Sequence, residues 1–249
     1  SFVFFSFISI QSTNESIPNN AYTAGESLKY LLYYGWISGE TASLTVNKTN
    51  YEGKTIYHAK AVAKTLGWAD KIYKVNDSYE SYFDEATGKP ILAIRNIAER
   101  EYRFYDEVKF FHSRNTVESK RNGVQSVPKD IFDFVSAFYY SRRALFRNVS
   151  IGDTLRFNTY FEDKIYPVEV KFLGKEIIET KAGEFRALKF CPAVEPGRIF
   201  DNPDDMKFWV SDDENFIPLR IQFDLMVGSL KCDLVEYKGL KNKLVNLDE

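Results

Sequence analysis

The residues with the clearest chemical potential are two acidic clusters in the last quarter of the chain. Asp204 and Asp205 are adjacent, and Asp212, Asp213 and Glu214 follow shortly after them. Paired carboxylates can bind calcium or carry out glycoside hydrolysis. However, both clusters lie among Asn, Ser and Pro residues that favour turns, and the alternating pattern of a calcium loop is absent. The sequence therefore favours turns here and leaves open a hydrolase that uses these acidic loops.

The histidines and cysteines are too few for a recognisable zinc centre, and a Ser-His-Asp triad, whose members meet only in space, stays open. His58 and His112 are the only histidines, and both lie in segments that we predict to be strands. A zinc site needs three or four ligands, and no serine lies in a G-x-S-x-G elbow. Cys191 and Cys232 either form one disulfide or are two small buried thiols on neighbouring strands. We predict no catalytic residue, no metal ligand and no cofactor.

An aromatic stripe near the start of the chain provides the candidate ligand-binding residues. Tyr30, Tyr34 and Trp36 lie at even positions of an alternating segment, which is the period of a β-strand. A curved sheet lined by aromatic rings can hold an acyl chain or a glycan ring. Packing in the protein core is the alternative explanation for the same stripe.

Composition limits the classes of partner. The chain has 249 residues, of which 33 are basic and 35 acidic, so its formal net charge is −2. This balance gives no basic face for nucleic acid, and no basic run indicates attraction to an anionic membrane. No stretch approaches the ~20 apolar residues of a membrane-spanning helix. We therefore expect no nucleic-acid partner and no transmembrane span.

The N-terminal segment predicts export. Ser1 to Ser12 begins with a run of apolar residues and serines that extends to Ile10. This run has the length and character of the apolar region of a signal peptide, without the charged region that normally precedes it. A buried first strand is the alternative. We expect an exported, periplasmic protein.

Most of the remaining chain alternates with the strand period. Turn signals at Ser38 to Glu40, Asn50 to Gly53 and Thr87 to Pro90 separate the early strands. Pro167 lies inside a later strand, where it cannot donate to a ladder, so we predict that this strand is an edge or begins with a bulge.

One segment has the helical period instead. The apolar residues Ile131, Phe134, Phe138 and Leu145 lie on one face of a helix, with Pro128 near its start. We predict one helix over residues 131–146 that packs across the open face of a sheet or plugs its mouth.

The predicted fold is mainly β: a strongly curved antiparallel sheet, either a partly closed barrel or a roll, with one central α-helix. We predict a signal-peptide remnant over residues 1–12, a single β-rich domain over 22–239, and a frayed polar tail over 240–249.

Three motifs in fixed order resemble a known family. They are Gly25 to Tyr30 followed by Trp36 to Gly39, the helical segment Asp133 to Arg142, and the run from Phe208 to Ser229. In this order the chain resembles the domain-of-unknown-function 3108 family of exported bacterial proteins, from about Tyr22 to Gly239. The resemblance implies an exported, mostly β cell-envelope protein of Gram-negative, often Bacteroidetes-like, bacteria. It supplies no assigned activity and no catalytic residues.

Three functions stay open at this point. The first is non-enzymatic binding of a lipid or other envelope-derived apolar ligand in the concavity of the sheet, by loose analogy with half-barrel lipoprotein carriers. The second is a structural or assembly factor that docks an envelope protein through a strand edge, at Pro167 or the loop Cys191 to Asp205. The third is the hydrolase. An empty apolar space between helix and sheet would favour the first.

Overall fold

The computed structural model describes residues 7–9, 16–35, 37–65, 74–193 and 204–248. Trp36, most of Ser1 to Ser12, and most of the loop Cys191 to Asp205 lie outside these residues. The first strands are β1 (Phe7–Ser9), β2 (Glu26–Tyr34), β3 (Ile37–Tyr51), β4 (Lys54–Thr65), β5 (Asn76–Asp84), β6 (Pro90–Glu99), β7 (Tyr102–Phe111), β8 (Thr116–Ser119), β9 (Gly123–Ser126) and β10 (Ile131–Phe132). Helix α1 (Phe134–Ala144) and a 3₁₀ turn (Phe146–Asn148) follow, and then β11 (Thr154–Phe161), β12 (Lys164–Thr180), β13 (Gly183–Pro192), β14 (Met206–Ser211), β15 (Pro218–Asp224) and β16 (Ser229–Lys238).

The strands form one large sheet built from two antiparallel meanders. Strands β2 to β9 pair in chain order, strands β11 to β16 do the same, and β16 pairs with β2 to join the two meanders. The short strands β1 and β10 both run parallel to β11 along its free side. Among the described residues no ladder joins β9 to β11, so hydrogen bonds do not close the sheet. The predicted fold class is confirmed.

Side chains close the seam that hydrogen bonds leave open. Phe110 of β7 and Val117 of β8 pack with Ile131 of β10 and Tyr160 of β11 in one buried cluster. The sheet must therefore curl until its two ends meet. Burial of apolar side chains at the seam replaces the missing ladder as the contact that holds the roll together.

Helix α1 lies in the concavity of this roll and is shorter than the predicted helix. Ile131 and Phe132 form β10 instead of helix, and Asp133 caps the first turn. The sequence pattern could not distinguish these positions because Ile131 and Phe132 are buried in both arrangements. After α1, the chain tightens into the 3₁₀ turn at Phe146.

The first hairpin turns earlier than the sequence pattern predicts. The chain reverses at Gly35, which has a φ of 58°, and the predicted turn Ser38 to Glu40 lies inside β3. Leu32 pairs with Glu40 and Tyr33 with Ser38, so Gly39 has no partner and forms a β-bulge. The Ser-Gly-Glu signal therefore marks a bulge. The turn predicted at Asn50 to Gly53 is confirmed, with positive φ at Glu52 and Gly53 between β3 and β4.

The polar tail is ordered over its described part, and the prediction that it frays is wrong. Leu244 is buried against the cluster that contains Phe185, and the Leu247 amide donates to the Glu184 carbonyl oxygen at 2.8 Å. At the start of the tail, Gly239 has a φ of 66°, and a Cβ added there would lie 2.3 Å from the Gly25 carbonyl oxygen. This close approach requires glycine.

Candidate functional site

The N-terminus of α1 is fixed by a capping box. The Asp133 carboxylate accepts from the Val135 and Ser136 amides at 2.9 and 3.0 Å, and the Ser136 hydroxyl accepts from the Asp133 amide at 3.2 Å. The Ser81 hydroxyl of β5 also donates to Asp133, at 2.7 Å. Burial raises the pKa of the Asp133 carboxyl, although these hydrogen bonds oppose the rise. The first turn of the helix is thereby bound to β5.

The last turn of α1 is held by a fully buried ion pair. Arg142 donates to both carboxylate oxygens of Glu26 on β2, at 2.6 and 2.8 Å. Its Nε atom donates to the Asn215 carbonyl oxygen at 2.9 Å, and Nη2 reaches the Ala21 carbonyl oxygen at 3.3 Å. Burial opposes the charge on Arg142, but Glu26 and its hydrogen bonds keep the pKa of the guanidinium above its ordinary value. One side chain thus ties α1 to three separate segments.

The neighbouring Arg143 ties α1 to a second turn of the same meander. Its guanidinium donates to the Glu85 and Ala86 carbonyl oxygens at 3.2 and 2.9 Å, in the turn between β5 and β6. It also donates to the Ile17 carbonyl oxygen of the segment that precedes β2. Both arginines therefore anchor the last turn of the helix, whereas Phe134, Phe138 and Ser141 face a gap between the helix and the sheet.

That gap is a cavity of about 690 Å³ between α1 and the second meander. Its volume lies in the range of small-molecule sites, roughly 300–1,000 Å³. Helix α1 and the 3₁₀ turn provide one wall, and β11 to β15 provide the other. The lining residues are almost entirely apolar: Phe134, Ala137, Phe138, Ser141, Phe146, Leu155, Phe157, Tyr166, Pro167, Val168, Val170, Pro192, Ala193, Met206, Phe208, Pro218 and Ile221.

The cavity presents little for a polar ligand to bind. Ser141 and Tyr166 carry the only hydroxyls of the lining, and no charged side chain is among the described lining residues. The Ser141 hydroxyl is already engaged, since it donates to the Ala137 carbonyl oxygen within the helix at 2.8 Å. The site therefore selects for apolar volume and shape, and any charged group of a ligand would have to remain outside.

One side of the cavity is bordered by a segment of β12 that, among the described residues, pairs with a strand on one side only. Strand β12 pairs with β11 from Lys164 onward, but its pairing with β13 begins only at Val170. The Ala193 amide donates to the Glu169 carbonyl oxygen at 2.8 Å, and among the described residues no strand pairs with the other side of Lys164 to Val168, so the edge or bulge predicted from Pro167 stays a prediction. Tyr166, Pro167 and Val168 of this segment all line the cavity, so the cavity borders the part of the sheet where the ladder is interrupted.

The predicted aromatic stripe lies close to the cavity without lining it. Tyr30 and Tyr34 point to the same face of β2, as their pairing with Leu234 and Leu230 of β16 requires. Tyr30 is buried and donates to the Pro218 carbonyl oxygen at 2.9 Å, directly behind the cavity wall. Tyr34 is exposed and donates to the Val227 carbonyl oxygen at 2.7 Å. Trp36, the third candidate, lies outside the described residues.

The acidic cluster around Asp213 serves local structure. Asp213 accepts from the Ser211 hydroxyl and from the Asn215 and Phe216 amides, at 2.8, 2.8 and 3.3 Å. Asp212 pairs with Lys175 at 2.9 Å. The prediction of turn chemistry at this cluster is confirmed. No three of the described His, Cys, Asp and Glu side chains are close enough together to hold a metal ion.

The histidines and cysteines lie in separate environments. His58 contacts Glu80 at 2.8 Å and stacks on Tyr82, whereas His112 donates to the Pro90 carbonyl oxygen at 2.8 Å. Burial lowers the pKa of His112. Cys191 and Cys232 are free thiols. They lie on β13 and β16 with two strands between them, so the prediction of neighbouring strands is wrong.

The fold and the cavity together define a β-barrel-like protein with a helix inside the roll. The chain belongs to the family "Protein of unknown function (DUF3108)", whose model matches residues 29–235. This confirms the family that the three motifs indicate. No curated protein matches the chain.

Solved structures that resemble this chain come from bacteria. A β-barrel-like protein of domain of unknown function DUF1849 from Brucella abortus is 9% identical, with a TM-score of 0.57 over 88% of this chain and 99% of its own. A protein from Bacteroides fragilis described as exported, with a YmcC-like fold, is 13% identical, with a TM-score of 0.40 over 90% and 99% of the two chains. A protein from Parabacteroides distasonis described as a lipoprotein is 11% identical, with a TM-score of 0.40 over 91% and 100%. At such identities the first likeness shows a shared fold and no activity.

No helix in the part of the chain that the structure describes is long and apolar enough to cross a membrane.

Most of the cavity lining was missed from the sequence because its residues resemble ordinary core. Phe157, Val168 and Val170 alternate as strand residues that face a core do. One residue of the lining stands out in the sequence: Pro167 predicts an edge or a bulge in the strand that lines the cavity. The alternation of apolar residues along a strand does not show whether side chains of α1 fill the space in front of that strand.

Proposed function

We propose that this protein binds a lipid acyl chain, or a ligand of similar apolar shape, in the cavity between α1 and strands β11 to β15, and that it does so without catalysis in the bacterial cell envelope. The observation that carries the proposal is a 690 Å³ space whose described lining includes no charged side chain. The space is partly open to solvent, and a mostly apolar cleft of this size is typical of small-molecule sites.

The rigid attachment of α1 supports binding rather than collapse. Arg142 and Arg143 bind the helix to β2, to the β5–β6 turn and to the segment before β2. These contacts fix the last turn of α1, so the helical wall of the cavity is preorganised, which lowers the ordering cost of binding.

A fluorescent fatty acid tests the proposal in solution. Each buried methylene contributes about 0.8 kcal/mol, so lengthening a competing fatty acid by two methylenes should tighten its binding about 10–15-fold until the cavity is full. Affinity that does not depend on chain length would contradict binding in this cavity.

A charge placed on the cavity wall provides the matched test. Val168→Asp adds a carboxylate to a segment of β12 that lines the cavity, and should weaken binding about 100-fold or more, because burying an unpaired charge is unfavourable. Lys171→Asp adds the same carboxylate three residues along the strand, at an exposed position outside the lining, and should leave affinity unchanged. Equal effects of the two variants would contradict the proposal.

Export is the second part of the proposal, supported by the apolar run in Ser1 to Ser12. The backbone of Phe7–Ser9 pairs with Thr154 to Arg156 of β11, which is the arrangement of the alternative first strand. Mass spectrometry of the protein recovered from the periplasm of an expressing bacterium decides between them. A mature N-terminus after Ser12 supports export with cleavage, whereas full-length protein confined to the cytoplasm contradicts it.

A further inference from the structure

The turn between β15 and β16 exposes an apolar tip, defined as Leu225, Met226 and Val227. Met226 and Val227 are 89% and 76% exposed. One backbone hydrogen bond closes the turn, from the Leu225 amide to the Gly228 carbonyl oxygen at 3.1 Å. Tyr34 covers one side of the turn and donates to the Val227 carbonyl oxygen. The tip can therefore leave water without exposing these backbone groups unpaired.

A row of apolar side chains connects this tip with the cavity. Cα register places Met206, Phe223, Leu230 and Tyr34 side by side across four adjacent strands. Because side chains alternate along a strand, this row lies on the same face as Ile221, which lines the cavity together with Met206. The tip is thus the outer end of the apolar surface that leads into the cavity.

The shape and chemistry of the tip fit a lipid surface better than a protein. A stable protein interface buries about 800 Å² on each partner, and three side chains on a convex turn cannot supply that area. Insertion into a bilayer interface needs only a few apolar side chains, with a tyrosine at headgroup level. Lys231 lies on the opposite face of the sheet, one step back from the tip, where its long side chain can extend to headgroups, whereas the neighbouring Lys207 is paired with Asp224 at 2.6 Å.

We propose that the apolar tip inserts into the surface of a lipid bilayer and that the adjoining row of apolar side chains guides a lipid chain between the bilayer and the cavity. This role of the tip rests on the proposed function for its ligand, but membrane contact by the tip can be measured separately. Because the tip is apolar, attachment should require no anionic lipid.

Flotation with phosphatidylcholine vesicles tests the tip. Wild-type protein should float with vesicles, and Met226→Asp/Val227→Asp should lower the partition coefficient about ten-fold or more, since two apolar contacts become charged. Val124→Asp is the matched control, because Val124 is also apolar and 67% exposed but lies on β9, away from the tip. Absence of wild-type protein from the vesicle fraction, or an equal loss in the Val124 variant, overturns the proposal.

Two further readouts separate this proposal from ligand binding itself. Met226→Trp should show a blue shift of tryptophan emission on adding vesicles, and Val124→Trp should show none. The Met226→Asp/Val227→Asp variant should still bind fluorescent fatty acid from solution with wild-type affinity. If the wild-type protein binds fatty acid normally but does not contact vesicles, the proposed membrane contact of the tip is refuted and the proposed function is unaffected. Photocrosslinking from residue 226 to a protein, and not to lipid, would also refute it.

Discussion

Replacement of Arg142 by methionine should be among the most destabilising single changes in this protein. The substitution leaves the Glu26 carboxylate, which is 1% exposed, without a countercharge, and removes the donors to the Asn215 and Ala21 carbonyl oxygens. Breaking a buried ion pair from one side costs about 3–5 kcal/mol. That is a large fraction of the roughly 5–15 kcal/mol by which domains are stable.

The pair of variants Arg142→Met and Glu26→Leu distinguishes a paired charge from general packing. The double variant leaves no buried charge, and replacing a buried pair by apolar groups is often close to neutral. We therefore expect the double variant to be more stable than Arg142→Met alone. Urea unfolding followed by circular dichroism gives the three free energies of unfolding.

A surface pair on the same strand provides the control for charge removal. Lys29 of β2 pairs with Glu236 at 2.8 Å, and both side chains are about half exposed. Lys29→Met should leave the unfolding midpoint unchanged, because solvent screens an exposed pair. If Arg142→Met unfolds at the wild-type midpoint, or if the losses of the two single variants add fully in the double variant, the buried pair does not hold α1 as argued.

Three further sites give outcomes that follow from their local environment. Asp133→Ala should lower the free energy of unfolding by about 1–2 kcal/mol, through loss of the N-cap, as urea unfolding can measure. Burial raises the pKa of Asp133 in the folded state, so the wild type loses stability as pH rises above the unfolded value of about 3.9. Asp133→Asn lacks this loss, so its stability relative to wild type should rise between pH 4 and 7; a pH-independent difference would contradict the assignment. Burial raises the pKa of the Cys232 thiol to about 12, so in a Cys191→Ser background it should react with a disulfide reagent at pH 8 far more slowly in folded than in urea-unfolded protein. Gly239→Ala forces a Cβ against the Gly25 carbonyl oxygen and should lower stability by about 1 kcal/mol or more; an unchanged melting temperature would show that the two segments separate readily.

The sequence predicts the main architecture well because local pattern and tertiary structure agree over most of the chain. Alternation predicts the long strands, and the spacing of Phe134 and Phe138 predicts the helix. The prediction fails where one residue type suits two structures. Gly39 suits a turn or a bulge, and Ile131 and Phe132 are apolar in a helix or in a strand beside β11.

The candidate site is less predictable because it is a cavity, and its existence depends on the distance between α1 and strands β11 to β15. Val168 and Phe208 have the pattern of core residues, and only their distance from α1 makes them a cavity lining. The last turn of α1 is fixed by Arg142, whose partner Glu26 is far away in the chain. Tyr34 was selected from its strand period, but its position beside the tip follows from the pairing of β16 with β2. Long-range pairing of this kind has no local signal in a single sequence.

Native mass spectrometry of gently purified protein tests the central claim most directly. The account predicts that wild-type protein carries a noncovalent adduct with the mass of a lipid, which organic solvent extracts, and that Val168→Asp carries none while remaining folded. Wild-type protein that is consistently found at its bare polypeptide mass, and that takes up no fatty acid when one is supplied, would contradict it.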